Sequence, residues 1–205
     1  IQNILLEAIN GDKEKKIQDI IIFLDGLKIC DNHNEFKSIL HLLSILYETH
    51  HQNPENMIFI EKLIIHYKDY IQKNFQSCEI FTIFKKDKKL LLFLIQSGII
   101  KIDKSIKKFL EDDEYKYFFY QEIKDTLKHD TKNSILNKIP DDYIFKREKG
   151  ENDSYLSEII RKDSIDDFIS YVSKTNISLN NEIKESIFET NSFLIGKNPT
   201  LIEYS

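Results

Sequence analysis

The part of the sequence that most limits the possible fold is a pair of short amphipathic helices between Ser154 and Asn180, which reads SYLSEIIRKDSIDDFISYVSKTNISLN. A charged turn separates the two predicted helices, and a polar segment follows them. Most of the stability of a helix in a protein comes from burying its apolar face against another element. Because a pair this short cannot bury its own apolar face, the pattern predicts that similar pairs stack against it.

A second stretch of the chain has the same outline. IFKKD at residues 83–87 aligns with IIRKD at residues 159–163, so two apolar residues, two bases and an acid close one helix and open the next in each case. Gly98 and Asn176 follow the second helices, and both residue types suit a left-handed helix end. The second helices align loosely, and two residues must be inserted. Helix, charged turn, helix, left-handed end and extended tail together outline one ankyrin-like repeat.

Apolar residues at helical spacing extend over the rest of the chain. With only five Gly and three Pro, the sequence has little material for the tight turns of a many-stranded sheet protein. Asn53-Pro54-Glu55 predicts a helix start, with Asn53 as the cap and Pro54 at the first helical position. Outside the pair described above, the predicted helices cover residues 1–9, 17–24, 36–47, 53–74, 79–85, 87–97, 104–110, 113–128 and 133–139.

The segment from Gly150 to Ser205 resembles the region that introduces the ankyrin repeats in a large family of divergent ankyrin-repeat proteins from protists, of the trichomonad type. It ends in NPTLIEYS, which is similar to the T-P-L-H-x-A-A segment of ankyrin repeats. Leu201 matches the core Leu and Tyr204-Ser205 occupy the small-residue positions, whereas the Thr-Pro order is inverted and Ile202 replaces the usual His. The resemblance implies that the chain is the N-terminal part of a longer ankyrin-type protein, cut near the start of its main array.

These observations predict an all-α fold of stacked antiparallel helical hairpins, which is an ankyrin-like α-solenoid. The segment from Pro140 to Asn152 is rich in charged residues and forms the best internal boundary in the sequence. We therefore expect an N-terminal helical region over residues 1–149, where the family resemblance is loose. An ankyrin-like repeat region is expected over residues 150–205, truncated at its C-terminal end.

Charge and cysteine usage narrow the classes of function. The formal net charge is −5 with both signs interspersed, so there is no basic field of the kind that gathers nucleic acid. Cys30 and Cys78 lie far apart without a CxxC spacing, which indicates a reducing, cytoplasmic compartment. The longest apolar run, residues 90–95, is far shorter than the ~20 residues of a membrane span. We expect no nucleic-acid partner and no membrane span.

The groups that resemble chemical sites have simpler structural explanations. The acids at residues 111–114 and 141–142 lack the spacing of an EF-hand loop, and the first group lies at a predicted helix start. The aromatic run at 114–124 predicts packing between layers, with Tyr117 and Tyr120 pointing outward. Four histidines could approach one another if the helices around Asn53 pack antiparallel, but they lack a metal-site spacing; these are His41, His50, His51 and His66. We expect no catalytic residue, cofactor, metal or small-molecule substrate.

The sequence therefore predicts a non-catalytic module or scaffold that recognises a protein partner. The charged turns of the two hairpins project from equivalent places in a stack, and the predicted binding residues are Lys85, Lys86, Lys88, Arg161, Lys162 and Asp166. The apolar side chains expected to face neighbouring pairs are Ile159, Ile160, Ile165, Phe168 and Ile169. Two alternatives remain open. One is a helical structural or oligomerisation domain, and the other is an enzyme with an unfamiliar active site in a closed pocket.

Overall fold

The computed structural model describes residues 2–9, 13–49, 53–191, 194–195 and 199–204. Regular secondary structure in these residues is helical, apart from one isolated antiparallel β-bridge between Glu182 and Thr200. The predicted all-α fold class is confirmed. The helices are α1 (Gln2–Ile9), α2 (Lys13–Gly26), the 3-10 helix η1 (Ile29–Asp31), α3 (His33–Thr49), α4 (Pro54–His66), α5 (Lys68–Asn74), α6 (Ser77–Phe84), α7 (Lys88–Gln96), α8 (Lys104–Leu110), α9 (Tyr120–Ile123), α10 (His129–Leu136), α11 (Tyr143–Lys149), α12 (Tyr155–Arg161), α13 (Ile165–Thr175) and α14 (Leu201–Tyr204).

The chain divides into two compact units, Ile1–Phe109 and Leu110–Ser205. The boundary predicted between residues 149 and 150 lies inside the second unit. That an ankyrin-like repeat region begins at residue 150 stays a prediction. The segment expected to be a boundary contains α11, and two side chains of that helix, Tyr143 and Arg147, are buried.

The core of the first unit lies between α2, α3, α4 and α6. Helix α2 packs on α1 and α4, α3 packs on α4 and α6, and α6 packs on α7. Aromatic side chains fill this core, and those that are fully buried include Phe36, Tyr47, Phe59 and Phe84. Packing against this core therefore stabilises short helices such as α6 and α7.

The helix predicted over residues 53–74 is interrupted once. Its start is confirmed, because the side chain of Asn53 accepts a hydrogen bond from the Glu55 N–H at 3.0 Å. The single-helix prediction is wrong at Tyr67, where φ is −94° and ψ is 12°, so α4 ends and α5 begins. Tyr67 Oη donates to Asp25 Oδ1 at 2.9 Å, and its ring meets Phe36 edge-on at 5.4 Å. These tertiary contacts fix Tyr67 where the helix breaks.

The helix predicted over residues 113–128 is largely wrong. Only Tyr120–Ile123 is α-helical, and residues 111–119 form a run of turns. Phe118, Phe119 and Tyr120 are all buried, whereas three successive residues of a helix span about 200° of its circumference and cannot share one face. The packing expected of this aromatic run is confirmed for the two phenylalanines. The expectation that Tyr120 points outward is wrong.

Tyr120 belongs to a hydrophobic cluster of the second unit. The buried members of this cluster are Tyr120, Ile135, Tyr143 and Phe188. An ion pair closes it on one side, because Arg147 Nη1 lies 2.7 Å from Glu122 Oε2 and both side chains are almost fully buried. The hydroxyl of Tyr143 donates to the Tyr117 carbonyl at 2.8 Å.

The last described residues return to the body of the second unit. Ile183 N donates to Pro199 O at 2.8 Å, and Leu201 N donates to Asn181 O at 3.1 Å. Leu201 is buried, in agreement with the core position that the resemblance implies for it, while Ile202 is exposed. Asn198 and Ser205 lie outside the described residues.

Candidate protein-binding surface

Both helical hairpins singled out in the sequence are present, as α6–α7 and α12–α13. Gly98 follows α7 with a φ of 74°, and Asn176 follows α13 with a φ of 52°. Both predicted left-handed helix ends are confirmed. Since a Gly or Asn in this conformation stops a helix at low cost, the lengths of the two second helices are set locally.

The turns inside the two hairpins differ, which corrects the expectation that they are equivalent. Asp87 is extended and buried, and its Oδ1 accepts a hydrogen bond from Leu90 N at 2.8 Å as the cap of α7. Asp163 instead has a φ of 51°. Ser164 N then donates to Ile159 O at 3.2 Å, which is the hydrogen bond of a Schellman motif. Both turns have three residues, but the second lies one residue later relative to the aligned motif, so Ser164, not Asp163, precedes α13.

The predicted binding residues of the first turn have three different environments. Lys85 is half-buried at the end of α6, with Nζ 5.3 Å from the centroid of the Phe109 ring. Lys86 is exposed. Lys88 is only 4% exposed in the first turn of α7. The expectation that Lys88 projects from the turn is wrong.

The predicted binding residues of the second turn also differ in their contacts and exposure. The Arg161 guanidinium is used inside the second unit, since it donates to Tyr204 Oη and to Asn152 O, both at 2.7 Å, and pairs with Glu151 at 3.0 Å. Lys162 lies 2.8 Å from Glu158 on the surface of α12. Asp166 is exposed. Of these three side chains, Arg161 holds the hairpin in place and Asp166 faces solvent.

Helix α13 exposes two apolar side chains that were expected to face neighbouring helical pairs. Ile159 is buried as expected, but Ile165 is 64% and Ile169 57% exposed, and α13 has no buried residue. By contrast, Leu90, Leu91 and Leu94 of α7 are completely buried. Four side chains at spacings of three and four form what we call the α13 stripe: Ile165, Phe168, Ile169 and Val172. Phe168 and Val172 are half-buried, so the expected inward direction is wrong for Ile165 and Ile169.

Aromatic and acidic side chains border the α13 stripe. The rings of Tyr155 and Tyr171 lie 5.3 Å apart, and Tyr155 is exposed. Asp163, Asp166 and Asp167 are exposed at the start of α13. Only Asp167 among the three has a side-chain hydrogen bond to the turn, which it accepts from Ser164 Oγ at 2.7 Å. The stripe therefore combines apolar area with negative charge at one end.

A polar cluster beneath α12 positions the hairpin. Ser154 caps α12, and its Oγ lies 2.7 Å from Oγ of Ser157, which is fully buried. Burial raises the pKa of the Glu189 carboxyl, although the backbone N–H of Asn191 donates to it at 2.9 Å. Burial also raises the pKa of the Tyr204 hydroxyl. These contacts anchor the base of the hairpin and leave α13 on the outside.

The recess in this polar cluster is too small for a substrate. Its volume is about 10 Å³, and its lining includes Asn152, Ser186, Glu189 and Tyr204. Sites for small molecules usually enclose roughly 300–1,000 Å³. The raised pKa values here accordingly belong to a packed structural cluster.

The described histidines and acids do not assemble a metal site. No three His, Cys, Asp or Glu side chains among the described residues lie close enough together to hold an ion. His41 and His66 are exposed, and His66 lies 3.9 Å from Asp25, whereas His50 and His51 fall outside the described residues. Within the described part of the chain, no helix is both long and apolar enough to cross a membrane.

Comparisons with protein-family models, with curated proteins and with solved structures found no match to this chain. The ankyrin resemblance of residues 150–205 therefore stays a prediction.

Proposed function

We propose that this chain is a non-catalytic protein-recognition module, and that the α13 stripe contacts a helix of its partner. The observation that carries the proposal is the exposure of Ile165 and Ile169 on an amphipathic helix that has no buried residue. An apolar helical face at spacings of three and four is the usual contact of one helix with another. Asp163 and Asp166 at one end favour a partner helix that carries Lys or Arg beside its apolar face.

The architecture that we propose for this module is a stack of ankyrin-like hairpins. Two features support it, namely the recurrence of a helical hairpin with a left-handed exit at Gly98 and at Asn176, and the burial of Leu201 at its motif position. In such stacks each hairpin leaves a face for its neighbour or for a partner. The reduced, half-buried Cys30 and Cys78 fit the cytoplasmic setting that belongs to this proposal.

The proposal is tested with a library of helix-forming peptides displayed on yeast and sorted against the native chain. The test variant is Ile165→Ser with Ile169→Ser. The matched control is Ile22→Ser with Ile45→Ser, since these residues are 67% and 55% exposed in the first unit. If each Ile of the stripe contributes roughly 1 kcal/mol to binding, the test variant loses about 30-fold in affinity.

We expect the selected peptides to carry an apolar helical face with basic residues, and the control variant to bind them within twofold of the native chain. Peptides that bind the test variant as tightly as the native chain would refute the role of the stripe. A library that yields no binder would argue equally against the proposal.

The alternative of an oligomerisation domain makes a different prediction for the same stripe. If a second copy covers it, light scattering at several concentrations gives a mass that rises above 24.4 kDa, and Ile169→Ser restores the monomer. Under the proposed function the mass stays at that of the monomer in both proteins.

A further inference from the structure

Positive charge is concentrated in one part of the first unit. Residues 85–108 contain eight lysines and two aspartates, a net formal charge of +6, in a chain whose total is −5. The other residues therefore carry −11 between them. This segment covers the α6–α7 turn, α7 and most of α8, so its basic residues are separated in sequence by the apolar helix α7.

The fold brings the two basic stretches together. The rings of Phe81 in α6 and Phe109 in α8 meet edge-on at 5.1 Å, and Lys85 Nζ lies 5.3 Å from the Phe109 ring. At the other end of these helices, Lys101 N donates to Ser77 Oγ at 3.1 Å. Helices α6 and α8 therefore run side by side in the same direction. The C-terminal end of α8, which carries Lys107 and Lys108, therefore lies beside the α6–α7 turn.

The two aspartates in this segment are occupied at helix starts. Asp87 is buried as the cap of α7. Asp103 caps α8, because its Oδ1 accepts hydrogen bonds from Ser105 N at 2.8 Å and Ile106 N at 2.9 Å, and the bond from Ile106 lowers the pKa of its carboxyl. Both carboxylates therefore accept hydrogen bonds from the N–H groups at helix starts.

Five of the eight lysines in residues 85–108 are accessible to a partner, and we call these five residues the lysine surface. Within the residues that the structure describes, no carboxylate lies at ion-pair distance from any of them. Four are exposed and one is half-buried, and the set is Lys86, Lys101, Lys104, Lys107 and Lys108.

We propose that the lysine surface binds a short acidic segment of a partner protein. Flexible ammonium groups attract carboxylates as point charges and need no fixed fork geometry. The size of the ligand follows from what borders the surface, because the acidic run at residues 111–114 comes directly after α8 in the chain. These four acids end the basic segment in the sequence, so a short acidic ligand matches it in length.

The residue types also favour a peptide over a nucleic acid. The first unit contains no Arg, and the chain's two arginines, Arg147 and Arg161, are engaged inside the second unit. Arg is favoured over Lys for nucleic-acid recognition, and single-stranded nucleic acid is held by exposed aromatic rings. Phe109, which follows Lys108 in the chain, packs against Phe81 and is half-buried, with Lys85 Nζ 5.3 Å from its ring centroid.

The experiment measures binding of a fluorescein-labelled peptide of eight alternating Glu and Ser residues by fluorescence anisotropy in 50 mM NaCl. The test variant is Lys86→Gln, Lys104→Gln, Lys107→Gln and Lys108→Gln in the full chain. The matched control removes the same charge from lysines elsewhere on the surface, and its substitutions are Lys62→Gln, Lys73→Gln, Lys174→Gln and Lys184→Gln. Thermal melting of both variants checks that they fold like the native chain.

We expect the test variant to lose at least tenfold in affinity for the peptide and the control to stay within twofold. Equal losses in the two variants, or no binding by the native chain, overturn the proposal. Tighter binding of an oligothymidylate of equal charge, or of phosphatidylserine vesicles, overturns it in favour of nucleic acid or lipid. The inference is independent of the α13 stripe, so its failure leaves the peptide-library result unchanged.

Discussion

The burial difference between the two hairpins predicts that equivalent truncations have unequal effects on stability. Leu94 of α7 is fully buried, so Leu94→Ala removes three carbon atoms from the core of the first unit. At ~0.8 kcal/mol for each buried methylene this costs about 2.4 kcal/mol, and the cavity left behind raises the total to roughly 3 kcal/mol. We expect the free energy of unfolding of the first unit to fall by that amount.

The same truncation in α13 costs far less. Ile169 is 57% exposed, so Ile169→Ala loses about two-fifths of the transfer free energy, which is roughly 1 kcal/mol, and leaves no closed cavity. Ala has a higher helix propensity than Ile by ~0.4 kcal/mol, which offsets part of the loss. The net cost for the second unit is about 0.5 kcal/mol.

Urea unfolding followed by far-ultraviolet circular dichroism measures both effects in the full chain. If the two units unfold separately, each variant is compared within its own transition, because a single free energy of unfolding is then undefined. The control is Ile45→Ala, which removes an exposed Ile from α3 and is expected to match Ile169→Ala. A loss of 2 kcal/mol or more for Ile169→Ala would show that the α13 stripe is packed, and would remove the basis of the proposed binding surface.

Two further predictions concern the second unit. Glu122→Leu strands the buried guanidinium of Arg147 and should lower the free energy of unfolding by about 3–5 kcal/mol, whereas Glu122→Leu combined with Arg147→Met should recover most of that loss in urea titrations. Burial opposes ionisation of Asp153, but hydrogen bonding from Ser186 and the ion pair with Lys146 outweigh it and lower the pKa of its carboxyl. Its stabilising contribution is therefore present above the usual pKa of 3.8 and lost as pH falls through the lower folded value. Asp153→Asn should flatten this part of the acid-unfolding curve, and an unchanged curve would contradict the assignment.

Local signals in the sequence predicted helix ends well. The cap at Asn53 and the left-handed residues at Gly98 and Asn176 depend on the chemistry of one residue and its neighbours, and all three occur as predicted. Tyr67 and the run at 113–128 failed for the opposite reason. A hydrogen bond from Tyr67 to Asp25 and the burial of three successive aromatic residues are tertiary effects, which helical spacing does not encode.

The candidate surface was predictable only in part. Aligning Asp163 with Asp87 placed an acid at the start of each second helix, and the left-handed conformation of Asp163 was missed. Ser164 followed by Asp167 is the pattern of a helix start, and it would have placed the cap one residue later. Whether an amphipathic helix turns its apolar face inward depends on the elements that pack on it. The spacing within α13 holds no information on that point.

The salt dependence of binding distinguishes the two proposed surfaces, because binding at each depends on a different force. Burial of the α13 stripe is a hydrophobic contact, so raising NaCl from 50 to 500 mM should leave it nearly unchanged or slightly strengthened. Attraction at the lysine surface acts between exposed charges, and the same change shortens the Debye length from about 14 Å to about 4 Å and should abolish most of the binding. A partner that binds both surfaces therefore loses, at high salt, only the part of its binding free energy that comes from the lysine surface. A partner held by the stripe alone keeps its affinity, and Ile169→Ser weakens its binding equally at both salt concentrations.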